Sequence, residues 1–564
     1  MRTRLAIALL LAAGTAGCSY LQFLPLFKRQ IVTKAQGRSV DQHGPAFGDP
    51  VARTAIDAAV DWPAYNDAPT STRYSTLSQI TTANVSRLRR VCTFDTGERT
   101  SMQSGPVVVA GVMYVTTAID TYALDAATCR LRWRHTYDYY PHPDWDLKVN
   151  RGVAYVETAE GPRLVRGAND GRVYALDART GHEVWNIPAG DVKHSETFPA
   201  APIAWHGVVF IGNAGGDNFG VTGRMLAIDA RTGERVWTTE LVPTNGRANE
   251  TWPRATERMP HTGGATWTSY TLDTVSALLY VPTGNAAPDF LTTVREGDDL
   301  YTSSVVVLDA RTGTIRRAYQ LLRNDPHDWD VAAAPLLVRT GRGRELVAEA
   351  GKDGHLYGID RDAGTILYRT PITTIENADA PLTKDGTRFC PGVQGGVEWN
   401  GPAYSPLVDA FFVGAVDWCS IVRVGTAREL ADRVGVPWTG SAHTREPFGT
   451  FDPPSRKRGW LTAVDAEDGH IRWQRAAQTP LVAGVLATAG GVVFSADLNG
   501  VVTAYDQRDG TPLFEYRTGQ PIGGGIVSYA VAGRQYVAVA SGLHAPLTWK
   551  TNSSPATIVV LSLP

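Results

Sequence analysis

One short pattern recurs seven times along this chain: a strand-like run ending in Asp, three residues, usually Gly, three more residues, then an aromatic ring. The copies stand at Asp125 with Trp133, Asp177 with Gly181 and Trp185, Asp229 with Gly233 and Trp237, and Asp309 with Gly313, where Arg317 replaces the ring. They continue at Asp360 with Gly364 and Tyr368, Asp465 with Gly469 and Trp473, and Asp506 with Gly510 and Phe514. Successive Asp residues lie 52, 52, 80, 51, 105 and 41 positions apart. A period of about 50 with strand–turn–strand content is the signature of a propeller or array. Each Gly supplies a positive φ between antiparallel strands, and each ring is placed to bury against the next blade. The gap of 105 is about two periods and predicts an eighth, degenerate blade around 396–424. The expected fold is all-β, an eight-bladed β-propeller of four-stranded antiparallel blades, whose closure removes exposed sheet edges. Strands following Asp61-Trp62-Pro63-Ala64-Tyr65 are expected to complete the ring with those after Asp506.

The ring is expected over residues 61–564, with insertions around 242–302 and 424–459. Before it, Arg2 and Arg4 precede an apolar run over 5–13 and then Thr15-Ala16-Gly17-Cys18, which resembles a bacterial lipoprotein signal. Residues 1–17 are read as that signal, Cys18 as the lipidated residue, and 18–60 as a tether. Ser19 is not the Asp that usually retains lipoproteins in the inner membrane, which resembles an outer-membrane-sorted lipoprotein. The expected location is therefore the periplasm, anchored to the outer membrane through lipid alone, or secretion if cleavage adds no lipid. No later segment reaches the ~20 consecutive apolar residues that a spanning helix needs. In an oxidising compartment the local pairing is Cys92 with Cys129 and Cys390 with Cys419, four buried thiols being the alternative. None of these lies in CxxC or CxxCH, so neither covalent haem nor a zinc ribbon is encoded. With 54 basic and 56 acidic side chains the net charge is −2, which supplies no basic face for nucleic acid.

A ring of blades is compatible with scaffolding, so chemistry has to be sought elsewhere. P-loop, HExxH, GxSxG and dinucleotide signatures are missing. The informative stretches are insertions, where rigid rings usually carry sites. The 80-residue gap holds NETWPRATERMPHTGGATWTSY and PTGNAAPDFLTTVREGDDLY, and the 105-residue gap holds another extra segment at about 426–457. The repeats, the opening WPAYNDAPTSTRYSTLSQITTANVSRL and an ordered series of short motifs together resemble the quinoprotein alcohol dehydrogenases, which use pyrroloquinoline quinone (PQQ). The resemblance covers nearly the whole mature length. It implies PQQ and Ca2+ near the axis of an eight-bladed ring, and a small-molecule alcohol or sugar as substrate. With no cytochrome domain following, it also implies a separate electron acceptor such as a cytochrome c or a quinone.

The motifs assign residues. Gln103, in Gln103-Ser104-Gly105-Pro106-Val107, matches a segment that contacts the cofactor's carboxylate or amide. Arg151, in Asn150-Arg151-Gly152, matches the arginine that pairs with a PQQ carboxylate, a role suited to a planar bidentate donor. Trp267, after Thr266, matches the indole beneath the quinone, and the resemblance adds Thr197 and Trp399 as cofactor contacts. Arg151 as a surface arginine and Trp267 as one more core ring are the bland alternatives. Asn285, in Gly284-Asn285-Ala286-Ala287-Pro288, resembles an asparagine ligand, and an amide oxygen suits calcium. Gly297-Asp298-Asp299-Leu300-Tyr301 resembles another family motif. Asp330, closing Asp325-Pro326-His327-Asp328-Trp329-Asp330, takes the place of the catalytic base and a metal ligand. Lys352 takes that of the cation beside the quinone oxygens, able to stabilise oxyanion charge and to act in catalysis. Ala332 lacks the second carboxylate of lanthanide-using relatives, which favours calcium.

Some positions depart from the family. Asp217-Asn218 stands where relatives carry a metal-binding glutamate, so both are metal-ligand candidates, ungapped alignment favouring Asn218. Trp145-Asp146 replaces a vicinal cysteine pair, and Glu398 replaces a frequent asparagine. The competing reading is a non-catalytic lipoprotein scaffold of the outer-membrane protein assembly type. It fits the signal and the repeats but not the ordered site motifs.

Overall fold

The computed structural model describes residues 59–564 apart from 138–148, 444, 547 and 552–554; the signal segment, Cys18, nearly all of the tether and Trp145-Asp146 lie outside the described residues. Eight antiparallel sheets of four meandering strands account for the ring. Named by innermost and outermost strand, blade 1 runs from Val107–Val109 to Leu131–Thr136, blade 2 from Ala154–Val156 to Glu183–Pro188, and blade 3 from Ile203–Trp205 to Arg235–Glu240. Blade 4 runs from Thr271–Asp273 to Ile315–Gln320, blade 5 from Leu336–Arg339 to Ile366–Pro371, blade 6 from Ala403–Ser405 to Ile471–Ala477, and blade 7 from Leu486–Thr488 to Pro512–Arg517. Blade 8 takes Ile526–Val531, Arg534–Ser541 and Thr557–Ser562 from the C-terminal end and its outermost strand, Arg89–Asp95, from the N-terminal end. Mixing both ends of the chain in one sheet locks the ring by strand pairing. Ala59–Val60, within the expected tether, already pairs with the inner edge of blade 8. The one parallel pair among the described strands is Tyr74–Ser75 with the inner strand of blade 7.

The expected hidden blade around 396–424 is not there. Ala403–Ser405 and Ala410–Asp417 are the two inner strands of the same blade whose outer strands carry Asp465 and Trp473. The long gap is one blade with two loop insertions, and the eighth blade is the one built from the two ends. A second adjustment concerns blade 4, where the docking ring is Tyr319 rather than residue 317.

The repeat exists because six of the eight seams between blades are built alike. The ring N–H or O–H on the outer strand donates to the carbonyl of the residue after the next blade's repeat Asp. Trp133 thus reaches Ala178 (3.1 Å), Trp185 reaches Ala230 (2.9 Å), Trp237 reaches Ala310 (3.1 Å) and Tyr319 reaches Arg361 (3.0 Å). Tyr368 reaches Ala466 (2.9 Å) and Trp473 reaches Gln507 (3.0 Å), while at the last seam Tyr529, on the innermost strand of blade 8, reaches Ala126 (2.7 Å). Phe514 has no donor and packs into the core that blades 7, 8 and 1 share. The repeat Asp secures the turn beneath, as where Asp177 Oδ1 accepts from the Arg179 and Thr180 amides.

Glycine is required twice over at Gly181. Its φ is +74°, and a Cβ there would lie 2.5 Å from the Trp133 ring. Gly181→Ala should cost about 2 kcal/mol, from left-handed strain plus the displaced ring, read as a lower denaturation midpoint.

Blade 1 has no such glycine. Cys129 stands at that position, four after Asp125, with φ +59°, and it is bonded to Cys92. Cys92 follows a bulge on the outer strand of blade 8, at the register position that Trp133 holds on blade 1. The disulfide therefore takes the place of the ring-on-glycine contact at the seam where the two ends of the chain meet. Cys390 and Cys419 form the second disulfide, as expected from local pairing.

Candidate active site

In a four-stranded meander, the entry to the innermost strand and the turn between the second and third strands lie at the same end of the blade. Gln103, Arg151, Thr197, Trp267, Asp330 and Trp399 occupy the entries to blades 1 to 6 in order. Asp217, Asn285 and Lys352 lie in the second-to-third-strand turns of blades 3, 4 and 5. The large insertions, 418–457 in blade 6 and the connections into blades 4 and 6, open at that end too. Backbone bonds stitch the entries together: Gly105 N–H to Arg151 O (2.8 Å), Arg151 to Pro199 (2.9 Å), Ala201 to Thr268 (2.7 Å), Lys352 to Asp330 (3.1 Å) and Val397 to Gly351 (3.0 Å).

One half of the site is cationic and aromatic. The Arg151 guanidinium lies 4.7 Å from the centre of the Trp267 ring and 5.5 Å from that of Trp399, and donates to the Trp267 carbonyl at 2.8 Å. Lys352 Nζ sits 5.6 Å from the same Trp267 ring. Burial lowers the Arg151 pKa to about 10. Glu398 is pushed up to about 7 by burial, which Lys352 partly offsets. Trp399 is anchored through its indole N–H to Gly523 O (2.8 Å). Buried Arg151 Nε and Gln103 Oε1 have no hydrogen-bond partner among the described residues. Thr197 pairs through its backbone with Ala214, and the neighbouring Asn213 carbonyl receives the Thr266 amide. A flat, multiply charged anion fits donors and rings so disposed.

The other half is acidic. Asp330 Oδ2 lies 2.7 Å from Lys352 Nζ, and its Oδ1 accepts the Asn285 amide at 2.8 Å. Trp329 sets this up: its ring stacks on His327 at 4.0 Å and donates to Pro391 O at 3.1 Å. Asp325 accepts the His327 and Trp329 amides (3.1 and 2.7 Å), fixing the turn. Asp328, at a φ of +61°, and Asp330 both face Lys352, Asp328 reaching it at 3.6 Å. Burial alone would lower the Lys352 pKa, but Asp328 and Asp330, with Glu398, hold it well above the ordinary lysine value.

Asp217, Asp289 and Asp328 each bring a carboxylate oxygen within 4.8 Å of the others. Burial, reinforced by the Asp330 charge, raises Asp217 to about 6, and burial with the Asp217 charge raises Asp289 well above the carboxylate range. The blade 6 insertion covers this corner. Trp438 donates its amide to Asp217 O (2.8 Å) and meets Phe219 edge-on, and Phe290 N–H bonds Thr439 O (2.7 Å).

Of the two metal candidates at 217 and 218, the structure brings Asp217 into this carboxylate group. The Asn218 amide nitrogen instead lies against Gly215, 3.3 Å from where a Cβ would stand, and its backbone closes a turn with Gly215 and Val221. Asp289 and Asp328 were not singled out from the sequence. Asp328 lies inside the motif that Asp330 closes, and Asp289 follows the GNAAP match by one position. Gly297-Asp298-Asp299 proves to be support: Asp299 pairs with buried Arg295, which also holds the Pro288 and Asp289 carbonyls.

A sequence profile described as the β-propeller domain of glucose/ethanol/alcohol dehydrogenases matches residues 62–382, more than half the chain. This chain belongs to the PQQ-dependent alcohol dehydrogenase family. It is 32% identical over 523 residues to the quinohemoprotein alcohol dehydrogenase of Comamonas testosteroni, spanning 86% of this chain and 72% of that one. It is 30% identical over 529 residues to the lanthanide-dependent methanol dehydrogenase of Methylacidiphilum fumariolicum, spanning 86% and 84%. The solved Comamonas testosteroni structure superposes with a TM-score of 0.78 at 28% identity, covering 95% of this chain and 84% of that one. A europium-containing methanol dehydrogenase gives 0.77 at 26%, covering 89% and 98%. A second profile, outer membrane protein assembly factor BamB, matches residues 457–562.

Proposed function

We propose that this member of the PQQ-dependent alcohol dehydrogenases is an exported enzyme that oxidises the hydroxyl of a small alcohol or a sugar and passes the electrons to a separate acceptor. Bound PQQ would supply the two-electron acceptor for the hydride leaving the substrate carbon. Arg151 and Gln103 would hold its acidic periphery, with Trp267 as a stacking face. A hard, oxygen-seeking cation, calcium on the expectation drawn from Ala332, would sit with Asn285, Asp330 and the neighbouring carboxylates as a Lewis acid.

The observation that carries this reading is the state of Asp330. Its carboxylate is buried and aimed by two charge-assisted contacts, from Lys352 and the Asn285 amide, beside the Arg151–Trp267 pair. Asp330 takes the hydroxyl proton, and Lys352 balances the negative charge that develops. The scaffold alternative draws on the assembly-factor match, but that match covers residues 457–562 only, from the outer half of blade 6 onward. It leaves Arg151, Trp267, Asp330 and Lys352 without a role. Lipidation at Cys18 and outer-membrane anchoring belong to the same proposal, supported by the signal-like sequence.

Titration calorimetry of PQQ into the lipid-free mature protein, with and without metal, tests the assignment. Tight, metal-dependent binding is expected, and Arg151→Ala should weaken it by about 100-fold, since a buried charge-assisted contact is lost. No binding under either condition would overturn the enzyme reading in favour of the scaffold.

A further inference from the structure

We propose that the rim of blades 8 and 1 clasped by the Cys92–Cys129 disulfide is a docking surface for an anionic phospholipid bilayer. The inference rests on the export and lipid anchoring proposed above, and adds to the lipid a contact made by the ring itself.

Two short segments carry it. Arg89-Arg90-Val91-Cys92 opens the outermost strand of blade 8, and Cys129-Arg130-Leu131-Arg132 leads into that of blade 1. The disulfide holds their Cα atoms 5.8 Å apart at the cysteines, so the flanking residues form one patch. Arg87, Arg89, Arg90 and Arg130 are exposed, and among the described residues none of them pairs with a carboxylate. The acidic groups at this end of the two blades are Asp125, which pairs with Arg132 at 2.9 Å, Asp61, which accepts the Ala110 amide at 2.9 Å, and the C-terminal carboxylate. Val91 and Leu131 stand among the arginines, 39% and 45% exposed. Ile366 and Ile471 hold the place of Leu131 on blades 5 and 6, six positions after the repeat Asp, and are similarly exposed. Thr365 and Leu367 flank the first, however, and the arginine beside the second, Arg472, is paired with Asp465. Unpaired arginines therefore single out the rim of blades 8 and 1. A surface that meets both kinds of side chain offers anionic headgroups above an apolar layer.

Topology places the patch. Arg89 and Arg130 stand where the outermost strands begin, which is the end of the blades opposite the entries and second turns that carry the site. Ala59 pairs with Val531, the last residue of the innermost strand of blade 8, at that same end. The chain that follows Cys18 thus joins the ring at the end that bears the arginines. With that end against a bilayer, the entries to blades 1 to 6 face away from it, toward soluble alcohol.

The test is co-sedimentation of the full mature chain, made without its acyl groups, with vesicles of phosphatidylglycerol and phosphatidylcholine or of phosphatidylcholine alone. Partition into the anionic vesicles should exceed that into the neutral ones by at least about 10-fold at low ionic strength, and should fall as salt is raised. Each arginine at such a surface strengthens binding about fivefold, so Arg90→Gln combined with Arg130→Gln should lower partition by about 25-fold. Leu131→Ser should lower it at least about threefold, and at high salt as well as low. Both variants should keep the melting temperature and PQQ affinity of the parent, since neither changes a residue of the site. Equal partition into anionic and neutral vesicles would overturn the docking surface and point the same arginines at an acidic protein instead. Partition unchanged in the double arginine variant would overturn the residue assignment. The anchor is read separately, by mass spectrometry of the chain purified from membranes. An unmodified Cys18 fails the anchoring alone, and an acylated chain whose arginine variant partitions like the parent fails this inference alone.

Discussion

Asp330→Asn should lower turnover with an artificial electron acceptor by between about 10²- and 10⁴-fold, the range expected when a general base is removed. The substitution keeps the shape of the side chain, and the Asn285 amide can still donate to the retained carbonyl oxygen. What disappears is the negative charge that Lys352 faces at 2.7 Å and the basicity that receives the substrate proton. The loss should therefore fall on kcat, with PQQ still bound and the melting temperature close to that of the parent. Lys352 keeps a partner in Asp328 at 3.6 Å, so no buried cation is left unpaired. Measured together, kcat, PQQ affinity and melting temperature separate a base from a structural carboxylate. Activity within about threefold of the parent would remove the base assignment.

The second large effect is on stability. Replacing both Cys92 and Cys129 by serine should cost about 4 kcal/mol, estimated from the chain entropy that a cross-link across 37 positions withholds from the unfolded state. The location sharpens the expectation. Seven other seams are held by a ring packed against the next blade, and at six of them the ring meets a repeat glycine or donates across the gap. Between blades 8 and 1 the Tyr529 hydrogen bond to Ala126 remains, but the outer strand Arg89–Asp95 is tied to blade 1 through the disulfide. The double serine variant should then open first at the N-terminal strand, giving early hydrogen exchange in residues 89–95 and a lower melting temperature. Reduction of the parent protein, which also opens Cys390–Cys419, should lower the melting temperature at least as far. An unchanged melting temperature with the bond demonstrably absent would show that strand pairing alone closes the ring.

Much of this architecture is legible in the sequence because the same physical problem is solved at every seam. A ring needs a flat seat and its polar hydrogen needs an acceptor, so aspartate, glycine and an aromatic recur at fixed offsets. Where the solution changes, the reading fails in an intelligible way. At blade 4 the donor moves to Tyr319, out of step with the pattern. In the 105-residue gap, residues in loop insertions carry no seam and so no period, and distance along the chain cannot tell a blade from a pair of long loops. The count of eight survives, but the eighth sheet is assembled from the two ends of the chain. Cys129 at a glycine position was visible as an irregular repeat, although nothing local said that Cys92 occupied the ring position of another blade.

The candidate site divides along the same line. Arg151, Trp267, Asn285, Asp330 and Lys352 stand in short motifs that resemble a known family, so their residue types and order were enough to single them out. Asp289 and Asp328 carried no such mark, since an isolated aspartate in a loop is commonplace. The repeating blade and the family motifs are encoded within a few neighbouring residues, so both could be read without the fold. Only the tertiary structure decided which blade closes the ring, that Asp217 rather than Asn218 joins the acidic group, and that carboxylates 72 and 39 positions apart share one buried corner. Closing the ring brings the loops of blades 3, 4 and 5 to a common end, and the blade 6 insertion then shuts water away from them. Burial and like charge are properties of that shared space, and they have no counterpart in any one stretch of the chain.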